Sequence, residues 1–142
     1  DKAKRMGCRV DPLTDAEYTD LASLKAQALG GRAPAPELPS ALRDIFGAER
    51  VQLTGVRFEG LPVAAVLSVR AGGYGMLIDG ASNREHWDKN PNNLAVWHAV
   101  SSLVIAGCER VDYGFSPVGA GDARFKDHMG GRATELYRVL GA

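Results

Sequence analysis

The chain has 142 residues, of which 45% are hydrophobic and 24% charged, as in an ordinary globular domain with one core. Seventeen basic residues balance seventeen acidic ones, and the balance holds locally, with eight, four and five of each sign in residues 1–50, 51–100 and 101–142. This argues against nucleic-acid binding through a broad basic surface but leaves room for a small phosphate pocket.

The spacing of the cysteines and the length of the apolar segments exclude further classes of protein. Cys8 and Cys108 lie a hundred residues apart, so they predict no metal site and no disulfide framework, and we expect two small buried hydrophobes. No signal peptide is visible and no apolar segment is long enough to span a bilayer, so we expect a cytoplasmic protein. The first residue is Asp1, which suggests a piece of a longer protein or a trimmed chain.

The first fifty residues predict a short strand and two helices. The strand ends in Cys8-Arg9-Val10, and Thr14 with Glu17 forms a capping-box pattern at the start of a helix. That helix has apolar residues at helical spacing and stops at Gly30-Gly31; they are Tyr18, Leu21, Leu24, Ala28 and Leu29. After a proline-rich linker, Ser40 is expected to cap a second helix that Gly47 ends.

Three strands in close order predict an antiparallel meander. They cover Val51–Phe58, Val63–Val69 and Tyr74–Ile78, and they are joined by the turns Glu59-Gly60 and Gly72-Gly73. The middle strand is nearly all apolar, as expected of a central strand covered on both faces.

The pattern changes after the meander. A loop from Gly80 to Asn92 is long enough to be functional, and Asn92 or Asn93 is expected to cap a helix that runs to Ala106. This helix is apolar almost all round, so we expect it to be buried. A strand at Val111–Phe115 follows, then a short helix at Asp122–His128 and a last strand at Ala133–Leu140.

These elements predict one α/β (α+β) domain with a mixed sheet and helices on both faces. The strand–helix–strand unit after the meander requires a right-handed crossover and one parallel strand pair. Where helix and loop separate two neighbouring strands, the sheet can open and expose backbone groups to a ligand.

Three sequence segments resemble one enzyme family. They are N-P-N-N-L-A-V-W (Asn90–Trp97), G-C-E-R-V-D-Y-G (Gly107–Gly114) and R-F-K-D-H-M-G (Arg124–Gly130). With this element order, over about residues 14–140, the chain resembles the GNAT acyltransferases. It is similar in particular to their Fem-like branch, the peptidoglycan-bridge aminoacyltransferases and related acetyltransferase-like proteins of cell-envelope and exopolysaccharide synthesis.

The resemblance implies an acyl donor and a domain count. GNAT enzymes that use coenzyme A carry a Gln/Arg-x-x-Gly-x-Gly/Ala turn before the central helix, whereas this chain has the glycine-free segment Asp88–Leu94. No tightly bound cofactor is expected, and the donor is either an aminoacyl-tRNA or an acyl-CoA. The neutral charge counts mildly against tRNA as a partner.

Fem-like enzymes usually contain two such domains, so this chain would be the C-terminal half of a longer protein.

Three residues are candidates for catalysis. Lys126 follows a glycine-rich turn and could stabilise the oxyanion formed when an amine attacks an acyl carbonyl, or simply pair with Asp122 one helical turn away. Asp112 ends a strand and could accept the proton of the amine, or bond nearby backbone amides as a turn residue. Tyr113 could serve as the acid toward the leaving group.

Further residues are candidates for substrate binding. Arg124 could bind an anionic group through two hydrogen bonds, or it could be an arginine at the rim of the site with no role in binding. Phe125 is its neighbour in the Arg-Phe-Lys segment. Asn90 is expected first to cap a helix, while His86 and Trp87 of the long loop could line an acceptor pocket or merely pack on the sheet. No catalytic triad and no metal-ligand set is visible, so direct attack of an amine is the expected chemistry.

Three hypotheses remain open. The first is an N-acyltransferase that moves an acyl or aminoacyl group onto a primary amine of a cell-envelope or polysaccharide precursor. The second is a non-catalytic GNAT-shaped binding or scaffold domain, with oligomer formation left open. The third is an acetyl-CoA-dependent N-acetyltransferase with a divergent phosphate turn.

Overall fold

The structure is a computed structural model that describes residues 1–116 and 120–135. Its strands are β1 (Cys8–Val10), β2 (Val51–Phe58), β3 (Leu61–Ala71), β4 (Tyr74–Ser82) and β5 (Arg110–Asp112). Its α-helices are α1 (Lys2–Arg5), α2 (Asp15–Leu29), α3 (Leu38–Phe46), α4 (Pro91–Ile105) and α5 (Gly121–His128). Short 3-10 helices cover Ala48–Arg50 and Arg84–Lys89.

One five-stranded sheet has the order β1-β2-β3-β4-β5. The first four strands pair antiparallel, and β4 pairs parallel with β5. The meander β2–β4 and the parallel pair were predicted from the sequence, whereas the pairing of β1 with β2 was not. Glu59 and Gly60 both have positive φ, at 51° and 81°, in the two-residue turn between β2 and β3. Such turns match the twist of a hairpin, and the pair accounts for the predicted meander.

The lengths of the last strands differ from the prediction. β4 continues four residues beyond Ile78 and ends at Ser82, whereas β5 ends at Asp112 instead of Phe115. Of the predicted strand Ala133–Leu140, residues 133–135 are not in a strand and the remainder lies outside the described residues. Strand β4 is therefore longer than predicted, and its parallel partner β5 is shorter.

A β-bulge interrupts β4 next to this pair. Leu67 of β3 pairs with Asp79 and Ser68 pairs with Leu77, so Ile78 is an extra residue in β4. Because of this extra residue, Ile78 and Asp79 both lie on the sheet face opposite to Leu77. The bulge thus decides which side of the sheet receives the carboxylate of Asp79.

Two apolar clusters cover the two faces of the sheet. Helices α1 and α4 contribute to one cluster, which includes Ala3, Leu94 and Ala99. Helix α2 contributes Tyr18 and Leu21 to the other, against which the apolar side chains of α3 pack. The predicted helices on both faces are thereby confirmed.

Local signals were confirmed at some helix ends and wrong at others. The capping box of Thr14 and Glu17 begins α2, and Gly30 ends it with φ 73°. Ser40 does not cap α3, since it lies inside that helix and its hydroxyl donates to the carbonyl of Glu37 at 2.9 Å. Likewise α4 begins at Pro91 after Asn90, and not after Asn92 or Asn93.

The prediction that α4 is buried all round is wrong. Trp97, Val104 and Ile105 are 61%, 57% and 86% exposed, because the sheet covers only one face of the helix. Leu24 and Leu29 of the predicted α2 stripe are also exposed, and Ala22 is buried in their place.

Both cysteines are buried, as expected from the sequence. Within residues 1–116 and 120–135, the longest apolar helices fall short of the length and hydropathy that a bilayer crossing requires.

Candidate active site

The parallel pairing of β4 and β5 covers only the start of β4. The paired residues are Tyr74–Arg110, Gly75–Val111 and Met76–Asp112, after which β5 ends while β4 continues to Ser82. In the described part of the chain, no strand pairs with the β5-side edge of β4 from Leu77 onward. We call this unpaired stretch, β4 residues 77–82 together with the segment after β5, the β4–β5 gap; its near end is close to Gly114, where a Cβ would lie 3.6 Å from the carbonyl oxygen of Leu77.

Asp112 fixes the chain at the entrance of the gap. One carboxylate oxygen accepts the hydroxyl of Tyr74 at 2.8 Å, and the other accepts the amide of Gly114 at 2.7 Å. The Asp112 carboxylate accordingly raises the pKa of Tyr74. These contacts are those of a turn aspartate, and its role as a base stays a prediction.

Lys126 holds the segment that follows β5. Its ammonium donates to the carbonyls of Gly114 and Phe115 at 3.1 and 3.0 Å and to the hydroxyl of Ser116 at 2.5 Å. Asp122 lies 3.8 Å away, at the i,i+4 spacing that the sequence allowed. The ammonium therefore faces the gap wall, where it already has three acceptors.

Tyr113 is half-buried beside the end of α5. Its hydroxyl donates to the carbonyl of Met129 at 3.0 Å, and burial raises its pKa. A raised pKa keeps the phenol protonated, which an acid toward a leaving group requires. Its use as that acid stays a prediction.

The end of β4 is joined to the start of α4. The hydroxyl of Ser82 accepts hydrogen bonds from Trp87 Nε1 at 2.8 Å and from Asn92 Nδ2 at 3.0 Å. Asn90 has a left-handed backbone, with φ 56° and ψ 44°, and its side chain does not cap the helix. The predicted capping role of Asn90 is wrong, and the first amides of α4 are left open on this side of the sheet.

The remaining sequence-predicted residues lie farther from the gap or in the core. His86 packs against Phe58 of β2, with ring centroids 5.5 Å apart. Strand β3 lies between β2 and β4 in the sheet, so Phe58 is separated from β4 by one strand. Phe125 packs against the core cluster on the α4 side of the sheet. Arg124 is exposed, and its guanidinium has no partner in the described part of the chain.

Asp79 is a site residue that the sequence prediction missed. It lies on β4 directly after the bulge, and its Oδ2 accepts the hydroxyl of Tyr18 at 2.6 Å. Burial, together with the Asp79 carboxylate, raises the pKa of Tyr18 far above its usual range. Lys25 Nζ lies 3.9 Å from Oδ1 and donates instead to the carbonyl of Gly80. One oxygen of Asp79 thus has no hydrogen-bond donor in the described residues.

The arrangement gives the gap two different sides. On the α2 side, Asp79 presents a carboxylate oxygen that can accept a proton. On the α4 side, the start of a fifteen-residue helix presents backbone amides that favour an anion. Such a site can hold an amine on one side of the sheet and a phosphate-bearing molecule on the other.

Among residues 1–116 and 120–135, no group of three or more His, Cys, Asp or Glu side chains could hold a metal ion.

A family model described as an acetyltransferase (GNAT) domain matches residues 1–127. Comparison with functionally curated proteins gives no match.

Solved structures with the same fold include three acetyltransferases. The ribosomal-protein-S18-alanine N-acetyltransferase from Escherichia coli aligns with a TM-score of 0.72 and 12% identity, over 89% of this chain and 79% of that one. The aminoglycoside 6'-N-acetyltransferase from Acinetobacter haemolyticus gives 0.69 and 10%, over 94% and 97%. Glucosamine-6-phosphate N-acetyltransferase from Arabidopsis thaliana gives 0.68 and 12%, over 94% and 97%. At these identities the likeness extends to the fold.

Proposed function

The chain belongs to the GNAT acetyltransferase family, and we propose that it transfers an acetyl group from acetyl-CoA to a primary amine. The observation that carries the proposal is the β4–β5 gap, with Asp79 on one side of the sheet and the uncapped start of α4 on the other. An amine and a thioester can then meet at the edge of β4.

The α4 side has groups that fit the donor. Pro91 has no N–H, and the amides of Asn92 and Asn93 precede the first intrahelical hydrogen bond, so they are free to bind a phosphate oxygen. The unpaired edge of β4 beyond Leu77 offers backbone groups to the amide-containing arm of the same molecule. Coenzyme A supplies the activated thioester, and these residues would hold and orient it.

The chemistry on the α2 side is proton transfer. A protonated amine cannot attack a carbonyl, and Asp79 Oδ1 can accept its first proton. The amine nitrogen then forms a bond to the carbonyl carbon, the carbon–sulfur bond breaks, and the second proton from nitrogen balances the one taken up by the thiolate. The products are an N-acetyl amine and free coenzyme A.

We propose a supporting role for Lys126 in the same reaction. Its three contacts to Gly114, Phe115 and Ser116 keep the far wall of the gap in place. Any direct contact between its ammonium and the acyl oxygen stays a prediction. The same holds for substrate binding by Arg124, Phe125, His86 and Trp87.

One observation favours a different donor as the second candidate. The glycine-free segment Asp88–Leu94 contains the end of the 3-10 helix Arg84–Lys89, Asn90 and the first residues of α4, and the resemblance implies a glycine turn there in CoA-using relatives. An aminoacyl donor, as the Fem-like resemblance implies, would not need that turn. An acceptor from a cell-envelope or polysaccharide precursor also stays a prediction.

Calorimetry and a turnover assay together test the proposal. We expect acetyl-CoA to bind the protein and free coenzyme A, without the acetyl group, to compete for the same site. We also expect thiol release that depends on an added primary amine. Absence of heat with acetyl-CoA and absence of amine-dependent thiol release would refute acetyl transfer. Amine-dependent turnover of an aminoacyl donor alone would support the second candidate.

A further inference from the structure

A small pocket lies beside Asp79 on the α2 side of the sheet. It has a volume of about 190 Å³ and is bounded by the second half of α2, the segment after α2 and the bulged part of β4. Its walls include the aliphatic side chains of Ala22, Ala26 and Leu29. The volume is below the roughly 300 Å³ at which pockets for drug-sized ligands begin, so an occupant must be small.

Three charged side chains line this pocket, and they are not equivalent. Asp79 is the anion, and its Oδ1 has no hydrogen-bond donor in the described residues. Lys25 is a cation that donates to the carbonyl of Gly80 and also lies 3.9 Å from Asp79 Oδ1, with which it forms an ion pair. Arg32 is a second cation, exposed, whose guanidinium has no ion-pair or hydrogen-bond partner in the part of the chain that the structure describes.

The charges specify the ligand that the pocket can hold. A primary amine can donate to Asp79 Oδ1, because the ammonium of Lys25, 3.9 Å away, forms an ion pair with that oxygen but lies beyond hydrogen-bond distance. Asp79 is the one carboxylate in the lining and can accept one ammonium, whereas a second amine on the ligand would lie beside Lys25 and Arg32 and be repelled. A carboxylate or phosphate on the ligand would instead pair with the fork of Arg32 and the ammonium of Lys25.

We propose that the acceptor is a small primary amine that carries an anionic group a few atoms from its nitrogen. This inference rests on the proposed acetyl transfer and adds the acceptor class to it. The amine lies at Asp79, a short aliphatic body lies against α2, and the anion lies at Arg32 and Lys25. The site selects against polycationic amines and against large acceptors.

Matched acceptor pairs test the charge requirement. The probes are β-alanine against β-alaninamide and O-phosphoethanolamine against ethanolamine, each assayed by thiol release at saturating acetyl-CoA. We expect kcat/KM to be at least about tenfold higher for the anionic member, as for one charge-assisted hydrogen bond of ~1.4 kcal/mol. The pair with the larger ratio tells whether the anion is a carboxylate or a phosphate.

The variant Arg32→Ala tests the assigned residue. We expect KM for the anionic acceptors to rise about tenfold, while KM for their neutral partners and the affinity for acetyl-CoA stay unchanged. Arg9→Ala is the matched control, because Arg9 is an exposed arginine on β1, at the other edge of the sheet. An equal effect of Arg32→Ala on neutral and anionic acceptors would overturn the inference.

The outcomes separate the inference from the proposed function. Equal turnover of neutral and anionic amines would leave acetyl transfer standing and refute the anionic acceptor. Binding of acetyl-CoA without turnover of any of the four small amines would also refute it, because all four are small enough for the pocket. Absence of acetyl-CoA binding would refute the proposed function itself.

Discussion

The hydroxyl of Tyr18 donates a 2.6 Å hydrogen bond to the carboxylate of Asp79, and this bond joins helix α2 to the bulged part of strand β4. Tyr18 is 1% exposed, so its hydroxyl has little access to water as an alternative partner. The bond fixes one carboxylate oxygen, Oδ2, while the other, Oδ1, lies 3.9 Å from the ammonium of Lys25. Tyr18 is therefore the residue that orients Asp79.

Replacing Asp79 tests its role as the base. We expect Asp79→Asn to lower kcat/KM for the amine by about 10²- to 10⁴-fold, because an amide still accepts the hydrogen bond of Tyr18 but cannot take a proton. Steady-state thiol release measures the loss, and calorimetry should show unchanged affinity for acetyl-CoA. Asp44→Asn, at an exposed position on α3, is the control. Wild-type turnover in Asp79→Asn would exclude it as the base.

Tyr18→Phe should change both the stability and its pH dependence. We expect a loss of roughly 1.5 kcal/mol near neutral pH, the usual contribution of a hydrogen bond to a charged group. The raised pKa of Tyr18 means that the folded chain keeps a proton which the unfolded chain releases above about pH 10. Stability from this group is thus complete below pH 10 and declines as the pH rises further.

Urea unfolding at pH 8 and pH 11 measures that decline. Tyr74 and Tyr113 also have raised pKa values and act in the same direction, so the informative quantity is the difference between wild type and variant. We expect the variant to lose less stability between the two pH values. Equal losses would show that Tyr18 does not titrate differently in the two states.

Lys126→Met should loosen the far wall of the gap. The substitution keeps the aliphatic stem but removes the donor to Gly114, Phe115 and Ser116. We expect faster amide hydrogen exchange in residues 114–116 and turnover lower by about 10- to 100-fold, the range that a small misplacement can cause. Lys4→Met on α1 is the control. Turnover at the wild-type rate would remove Lys126 from the mechanism.

The ion pair of Glu17 with Arg57 should set part of the acid sensitivity. Arg57 donates two bonds to Glu17, at 2.7 and 2.8 Å, and these hold the pKa of Glu17 down to about 2. Because the folded pKa is depressed, this contribution to stability is present above about pH 4.5 and is lost as the pH falls toward 2.

Urea midpoints at pH 6 and pH 2.5 check the acid prediction. We expect Glu17→Gln to be less stable than wild type at pH 6 and to lose less on acidification, while its amide retains the capping box. Glu109→Gln, at an exposed position between α4 and β5, should behave as wild type. A wild-type pH dependence in Glu17→Gln would contradict the assignment.

The sequence predicted the fold because its signals were local. The capping box before α2 and the turn Glu59-Gly60 each act within a few residues, and the structure contains both. The parallel strand pair followed from the length of the connection between β4 and β5. The buried face of α4 was harder to predict, because a helix that is apolar all round has no periodic pattern that marks the face in contact with the sheet.

Asp79 could not be recognised from the sequence for a physical reason. The predicted strand ended at Ile78 and the predicted loop began at Gly80, so Asp79 was assigned to neither; Asp-Gly is a dipeptide typical of turns and gives no sign of a strand. The extra residue in β4 and the hydroxyl of Tyr18, sixty-one positions away, are what place Asp79 in the site. Neither a bulge nor a long-range hydrogen bond leaves a mark in the local pattern.

The two sides of the gap come from separate parts of the chain, and they share only strand β4. The pocket beside Asp79 draws on residues 22–34, whereas the amides at the start of α4 follow residue 90. Specificity for the amine should therefore be exchangeable as a cassette. A chimera that carries a relative's residues 22–34 would adopt that relative's choice of amine while its affinity for acetyl-CoA stayed that of the parent.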